Sequence, residues 1–244
     1  MSKTLYDEKF YADQAAQSRA AARVVLGILF EHWKPTTMLD FGCGVGSWLA
    51  AARELGVRDT LGLDGAWVPP EQLMIPPECF RAADLTAPTL EMPGRYDLAI
   101  SLEVFEHLQP TAADRSVGLL ARAAPVVLFS AAIPGQGGTD HINLRWQSYW
   151  AELFAAEGFV ASDAIRRAVW GRDDVPSWYQ QNVVLYARPE RMRELGFITL
   201  PSRALDVAHP LLYADYVAWK ERRQKKRFSN RWKQLRRRVG ALRP

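Results

Sequence analysis

Along the chain, short apolar runs alternate with stretches whose apolar residues recur every three or four positions. That alternation predicts βαβ units around a mostly parallel sheet. A helical pattern covers Ala12 to Glu31. Met38 to Phe41 reads as a short buried strand, followed by glycines and a helix through Ser47 to Leu55. Thr60 to Leu63 and Cys79 to Ala82 read as the second and third strands. Tyr96 to Leu102 reads as the fourth, passing into a helical turn at Glu103 to Leu108, and Val126 to Ser130 as the fifth. Trp146 to Glu157 predicts a helix stopped by Gly158, and Phe159 to Ile165 and Val183 to Ala187 supply the sixth and seventh strands. The residues after Pro189 look helical and peripheral. The expected fold class is α/β: a doubly wound, seven-stranded, mostly parallel sheet over 35–188, a helical N-terminal cap over 1–34, and a helical basic extension over 189–244.

Composition narrows the class. The chain is 48% hydrophobic and 24% charged, as an ordinary globular protein is. Two cysteines, Cys43 and Cys79, exclude a disulfide framework and suit a reducing compartment. The opening residues lack the basic segment and apolar core of an export signal. The longest apolar stretch, near Ala20 to Phe30, is broken by Arg23 and falls short of the ~20 residues that span a bilayer. A cytoplasmic protein is expected, free or peripheral to the inner face of the membrane.

Charge is unevenly spread. Residues 217–244 hold twelve Lys or Arg against one acid, Glu221; that net of +11, taken from +4 overall, leaves −7 for residues 1–216. Within this tail Phe228, Trp232, Leu235, Val239 and Leu242 are spaced 4, 3, 4, 3, one face of a helix with arginines and lysines around the rest. A helix of that kind suits an anionic membrane surface. RNA phosphates are the second candidate, and a solvated tail the third.

The most informative segment is Leu39-Asp-Phe-Gly-Cys-Gly-Val-Gly-Ser-Trp48, a glycine-rich turn between a strand and a helix. Gly42, Gly44 and Gly46 let the backbone turn tightly and approach a ligand. The spacing is GxGxG rather than the GxGxxG of dinucleotide sites. Asp40, just before it, would repel a pyrophosphate and attract a cationic amino-acid ligand. Asp64 ends the second strand 24 residues later, where a carboxylate can accept two ribose hydroxyls.

On these residues the chain resembles the class I methyltransferases that use S-adenosylmethionine (SAM), over about residues 35–187. The resemblance implies a Rossmann-like domain in which Asp40, Gly42, Gly44 and Gly46 meet the methionine end of SAM and Asp64 the ribose. It also places Asp84 and Leu85 by the adenine.

A second cluster follows the fourth strand. In Ser101-Leu-Glu-Val-Phe-Glu-His107, a helical turn would put Glu103, Glu106 and His107 on one side, at the sheet edge where ligands bind. Asp140 and His141, after the fifth strand, can reach the same edge. Two carboxylates and two imidazoles can form a site for Mg2+ or another divalent ion. Otherwise His107 or His141 is a base without metal, with Glu106 beside it, or the group is a hydrogen-bonded pocket wall.

The pattern resembles small-RNA 3′-terminal 2′-O-methyltransferases, in which residues matching Glu103, Glu106, His107 and His141 bind magnesium, and catechol-type O-methyltransferases of ubiquinone biosynthesis. In relatives with a similar run, the residue matching Glu103 lines the cofactor pocket. Thr139-Asp-His, Trp146 and Trp178-Tyr-Gln-Gln-Asn182 resemble methyltransferases of bacterial surface-polysaccharide assembly. That resemblance implies an O-methyltransferase for a sugar hydroxyl on a small-molecule or lipid-linked glycan. RNA ribose 2′-O-methylation, catechol-type methylation of a small molecule and non-catalytic SAM binding are the alternatives. Tyr6, Phe10, Tyr11 and Gln14 are expected to form a cofactor lid ahead of the first helix, and Trp146, Tyr149 and Trp150 to share a helix face.

Overall fold

The structure, a computed structural model, describes residues 4–240, with side chains described for 15–225. Seven strands form one sheet: β1 (Thr37–Phe41), β2 (Asp59–Asp64), β3 (Phe80–Ala82), β4 (Leu98–Leu102), β5 (Val126–Ser130), β6 (Val160–Ser162) and β7 (Val184–Ala187). Their order is β3-β2-β1-β4-β5-β7-β6. The first five pair in parallel, and β7 runs antiparallel between β5 and β6. β4, β5 and β7 are buried along their whole length, which is why they read as unbroken apolar runs rather than as alternation.

The first face of the sheet is covered by α1 (Thr4–His32), α2 (Ser47–Glu54), α5 (Ala164–Val169), α6 (Ser177–Asn182) and α7 (Pro189–Glu194). α3 (Pro110–Ala123) and α4 (Gln147–Ala156) cover the other, around Phe105, Phe129, Trp150 and Phe154. The winding direction reverses between β1 and β4, whose neighbours run away on opposite sides. Their carboxyl ends therefore open the crevice in which doubly wound sheets bind ligands.

Residues 200–209 are fastened to the body. The buried Arg166 guanidinium donates to Leu205 O at 2.8 Å, and the Asp206 carboxylate accepts from Ser148 N–H and Oγ at 2.8 and 2.7 Å. Only beyond them does α8 (Pro210–Gly240) leave as one long helix. No described helix is long and apolar enough to cross a membrane.

Several sequence expectations are corrected. α1 begins at Thr4 and takes in Tyr6, Phe10, Tyr11 and Gln14, which therefore do not precede it; their side chains, and the lid expected of them, lie outside the described residues. β6 stops at Ser162 because Asp163 opens α5, so Ile165 is helical. Trp150 is fully buried, whereas Trp146 precedes α4 and is 38% exposed, so the two form no common platform. The Trp178-Tyr-Gln-Gln-Asn182 run lies in the helix α6. Its amides bind the protein itself: Gln180 Nε2 donates to Val175 O at 2.6 Å and Gln181 Nε2 to Val207 O at 2.7 Å.

Candidate active site

The glycine turn joins β1 to α2. Gly42, Gly44 and Gly46 have φ of 87°, 52° and 84°, a region that disfavours side chains. A Cβ on Gly42 would lie 2.4 Å from Val104 Cγ2, and one on Gly46 2.8 Å from Ile75 Cγ1. A Cβ on Gly44 would meet nothing within 4 Å, so this part of the loop opens onto free space. Gly42 and Cys43 N–H donate to Leu63 O at 2.8 and 3.1 Å, which bends the turn over the end of β2.

Asp64 locks that bend. Its Oδ2 accepts from Gly44 N–H at 2.7 Å and its Oδ1 from Gly65 N–H at 2.6 Å. Burial pushes its carboxyl up, against the pull of the two amides. Asp40 is also buried, and burial followed by the charge of Asp64 holds it well above the usual carboxylate range. A cation beside the buried Asp40 would relieve that cost, and Asp64 offers accepting oxygens, so the donor set fits the ammonium and ribose of SAM.

Trp67 was not foreseen as part of this corner. Its ring covers Gly65, where a Cβ would fall 2.0 Å from Nε1, yet the residue is 74% exposed. Asp84 sits at the carboxyl end of β3, exposed, with Oδ1 accepting from Thr86 N–H and Oγ at 2.8 and 2.7 Å. Those bonds hold its carboxyl below the usual range and make it the cap of its own turn. Leu85 is partly buried against the second core.

After β4 the chain does not enter a helix. Glu103 takes φ +56°, its N–H donating to both Ser130 O and Ser130 Oγ at 3.1 Å, and a single tight turn covers Phe105–His107. Strain of this kind in a residue other than glycine persists only where surrounding bonds enforce it. The helical spacing expected of Glu103, Glu106 and His107 therefore fails. The Glu103 carboxylate accepts from Asn182 Nδ2 at 3.0 and 3.2 Å and from Gln136 Nε2 at 3.3 Å. Gln147 Nε2 in turn donates to Asn182 Oδ1 at 3.3 Å.

The other three expected residues do meet. One ligand atom from each of Glu106, His107 and His141 lies within 4.8 Å of the others, and Glu103 is not in the group. The imidazole centroids are 4.9 Å apart. Both Glu106 oxygens and His141 Nδ1 are buried without a hydrogen-bond partner among the described residues. Burial, and next the charge of Glu103, push the Glu106 carboxyl up to about 9. Burial and the facing His107 push His141 down, so its imidazole is neutral near pH 7. A buried carboxyl and an enclosed imidazole nitrogen, unpaired among the described residues, fit a cation better than an apolar wall.

Long-range bonds bring His141 there. Ile142 and Asn143 N–H donate to Glu106 O at 2.8 and 3.0 Å, and Asn143 Nδ2 to Phe105 O at 3.3 Å. Asp140 is left-handed at φ +57°, with its carbonyl 3.3 Å from His107 Nδ1. Gly138 lies against the His141 ring, where a Cβ would come within 2.1 Å of Cε1.

The sheet order, the glycine turn and the carboxylate at the end of β2 are those of the class I methyltransferase fold. The chain belongs to the family described as "Methyltransferase domain", whose sequence profile matches residues 11–159. No curated protein matches it in sequence. Among solved structures it is similar to the sugar N-methyltransferase KedS8 from Streptoalloteichus sp ATCC 53650, at 16% identity and TM-score 0.56, covering 75% of this chain and 92% of that one. It is also similar to magnesium protoporphyrin IX methyltransferase from Synechocystis PCC 6803, at 19% identity and TM-score 0.50, over 71% and 84% of the two chains. The methyltransferase domain of bacterial CtHen1-C matches at 14% identity and TM-score 0.50, over 71% and 98%. The chain spans only 62% of the length of an O-methyltransferase family protein from Burkholderia thailandensis and 58% of LaPhzM. At these identities the likeness is one of fold.

Proposed function

We propose that this protein is a SAM-dependent O-methyltransferase that acts on a sugar hydroxyl in glycan or polysaccharide assembly. The observation that carries this reading is the group Glu106, His107 and His141, placed at the same carboxyl edge of the sheet as the glycine turn. SAM, when bound, supplies a methyl group on a positively charged sulfur, and a divalent ion, when bound, polarises an acceptor oxygen. Asp40 would draw the cationic amino-acid end of the cofactor and Asp64 would accept its ribose hydroxyls, while Gly44 lets the backbone come close.

Where no ion is held, a neutral imidazole such as that of His141 would take the proton of the acceptor hydroxyl as the oxygen becomes methylated, a contribution of about 10²–10⁴-fold. Glu106, His107 and His141 would hold the ion. Glu103, kept in place by Asn182 and Gln136, would line the wall between ion and cofactor. Alignment of the oxygen with the methyl group in the crevice supplies much of the remaining rate.

The test is SAM turnover on diol-bearing sugars, nucleotide sugars, catechols and short RNAs, with EDTA and then with added magnesium or manganese. Turnover of a sugar that EDTA abolishes and the ion restores is expected. Turnover indifferent to EDTA would remove the ion and leave a histidine base alone. Activity confined to RNA would transfer the reading to ribose 2′-O-methylation, and activity confined to catechols to a small-molecule acceptor.

The +11 tail would hold the enzyme against an anionic membrane, where lipid-linked acceptors reside. Each Lys or Arg near such a surface contributes about 1 kcal/mol. The protein should co-sediment with phosphatidylglycerol vesicles, be released by high salt, and ignore phosphatidylcholine vesicles. Equal partition to both lipids would rule out this role.

A further inference from the structure

An open surface depression of about 350 Å³ adjoins the Glu106–His107–His141 group, lined by the five consecutive loop residues His141, Ile142, Asn143, Leu144 and Arg145. That is at the small end of ligand sites and large enough for a monosaccharide with one substituent. Its one cationic side chain is Arg145. The Arg145 Nε–H donates to Asn143 Oδ1 at 3.0 Å, and the guanidinium carbon lies 4.8 Å above the centre of the Tyr149 ring. Tyr149 is fixed from behind, because its hydroxyl donates to Asp114 Oδ1 at 2.5 Å. The nearby carboxylate of Asp114 is thus taken up by Tyr149. The terminal nitrogens of Arg145 hydrogen-bond to no described residue.

Asn143 makes this arrangement more than an exposed arginine. It is 2% exposed, and its backbone N–H and both side-chain polar atoms are used: N–H to Glu106 O, Nδ2 to Phe105 O, Oδ1 to Arg145. One buried side chain therefore ties the guanidinium to the very turn that carries Glu106 and His107. A planar fork held by a stacked ring and one hydrogen bond, with its outer donors free, suits bidentate recognition of an oxyanion.

We infer that Arg145, positioned by Asn143 and Tyr149, forms a phosphoryl subsite for the acceptor, so that the methylated sugar carries a phosphate or a nucleoside diphosphate. This rests on the O-methyltransferase reading for its acceptor, but the subsite itself can be measured without turnover. Inorganic pyrophosphate is titrated into the protein loaded with S-adenosylhomocysteine (SAH), for the native chain, Arg145→Gln and Arg145→Lys. Arg145→Gln should weaken pyrophosphate by about tenfold or more, the scale of one charge-assisted bidentate pair. Arg145→Lys should fall between, and the affinity for SAH should not move. Equal pyrophosphate affinity in all three would overturn the subsite.

A second arm compares a sugar 1-phosphate, a nucleotide sugar, a uronic acid, the neutral sugar and a short RNA as acceptors. A rise in KM with Arg145→Gln confined to the phosphorylated sugars, with kcat held, is expected. The same rise confined to the uronic acid would overturn the phosphoryl assignment in favour of a carboxylate. Arg145-dependent turnover of RNA alone would keep the subsite and overturn the sugar. Pyrophosphate binding that depends on Arg145, with no acceptor turned over, would sink the O-methyltransferase reading and leave the subsite standing.

Discussion

Asp64→Ala should bind SAM and SAH at least about 10²-fold more weakly than the native chain while remaining folded. The Asp64 carboxylate joins the amides of Gly44 and Gly65, 20 residues apart along the chain from the first of them, and so sets the shape of the open glycine face. Hydrogen bonds to a charged group contribute about 1.5–3 kcal/mol each, and about 1.4 kcal/mol is tenfold in affinity. The two ribose hydroxyls would lose such an acceptor, and the glycine face would lose the two bonds that hold its shape in the free protein. The fold should survive because β2 stays paired on both sides through its backbone. Asp64→Asn keeps the shape but offers one accepting oxygen, so its loss should be smaller. Calorimetric titration with SAH, beside circular dichroism of each variant, makes the comparison. A folded Asp64→Ala protein that binds SAH within threefold of native would refute the assignment of this corner to the cofactor.

What the sequence made legible was whatever local pattern determines. Three strands buried along their whole length, β4, β5 and β7, announce themselves as apolar runs, and a glycine turn between a strand and a helix has few other uses. α3 was equally legible and went unrecognised: Pro110 stands at its first position, and its apolar residues follow helical spacing. The turn after β4 was different. Glu103, Glu106 and His107 sit at helical spacing, but the conformation of Glu103 is set by Ser130 on the neighbouring strand and its side chain by Asn182 and Gln136. No local rule carries that information. The meeting of His141 with Glu106 likewise depends on backbone bonds between segments 36 residues apart, and Arg145 acquires its setting only through the same loop. Gln180 and Gln181 mark the opposite failure: they belong to the run that resembles polysaccharide methyltransferases, yet their amides tie down neighbouring loops.

Glu106→Gln should lower kcat by about 10²-fold or more, if the cation site is part of the chemistry, and should stabilise the ion-free protein. The two effects have one cause. Glu106 is fully buried, no described residue gives either oxygen a hydrogen bond of ordinary geometry, and burial with the neighbouring charge of Glu103 pushes its carboxyl up to about 9 from an ordinary value of 4.5. The folded state therefore holds a proton that the unfolded chain releases above about 4.5. Stability in the absence of an ion is at its full value below that pH, falls as the pH rises towards 9, and levels off beyond. The slope is at most about 1.4 kcal/mol per pH unit. Glutamine has no proton to lose, so the variant should match the native chain near pH 5 and exceed it by several degrees in Tm at pH 8, at roughly 2–4 °C per kcal/mol for a chain of this size. Magnesium or manganese should reverse the order at pH 8 by supplying the missing counter-charge to native Glu106, and should leave Glu106→Gln unmoved. Melting curves of both proteins at the two pH values, with EDTA and with each ion, separate the possibilities. A native chain that is no less stable at pH 8 than Glu106→Gln in EDTA would mean that this carboxyl already has a partner, and the cation site would have to be abandoned.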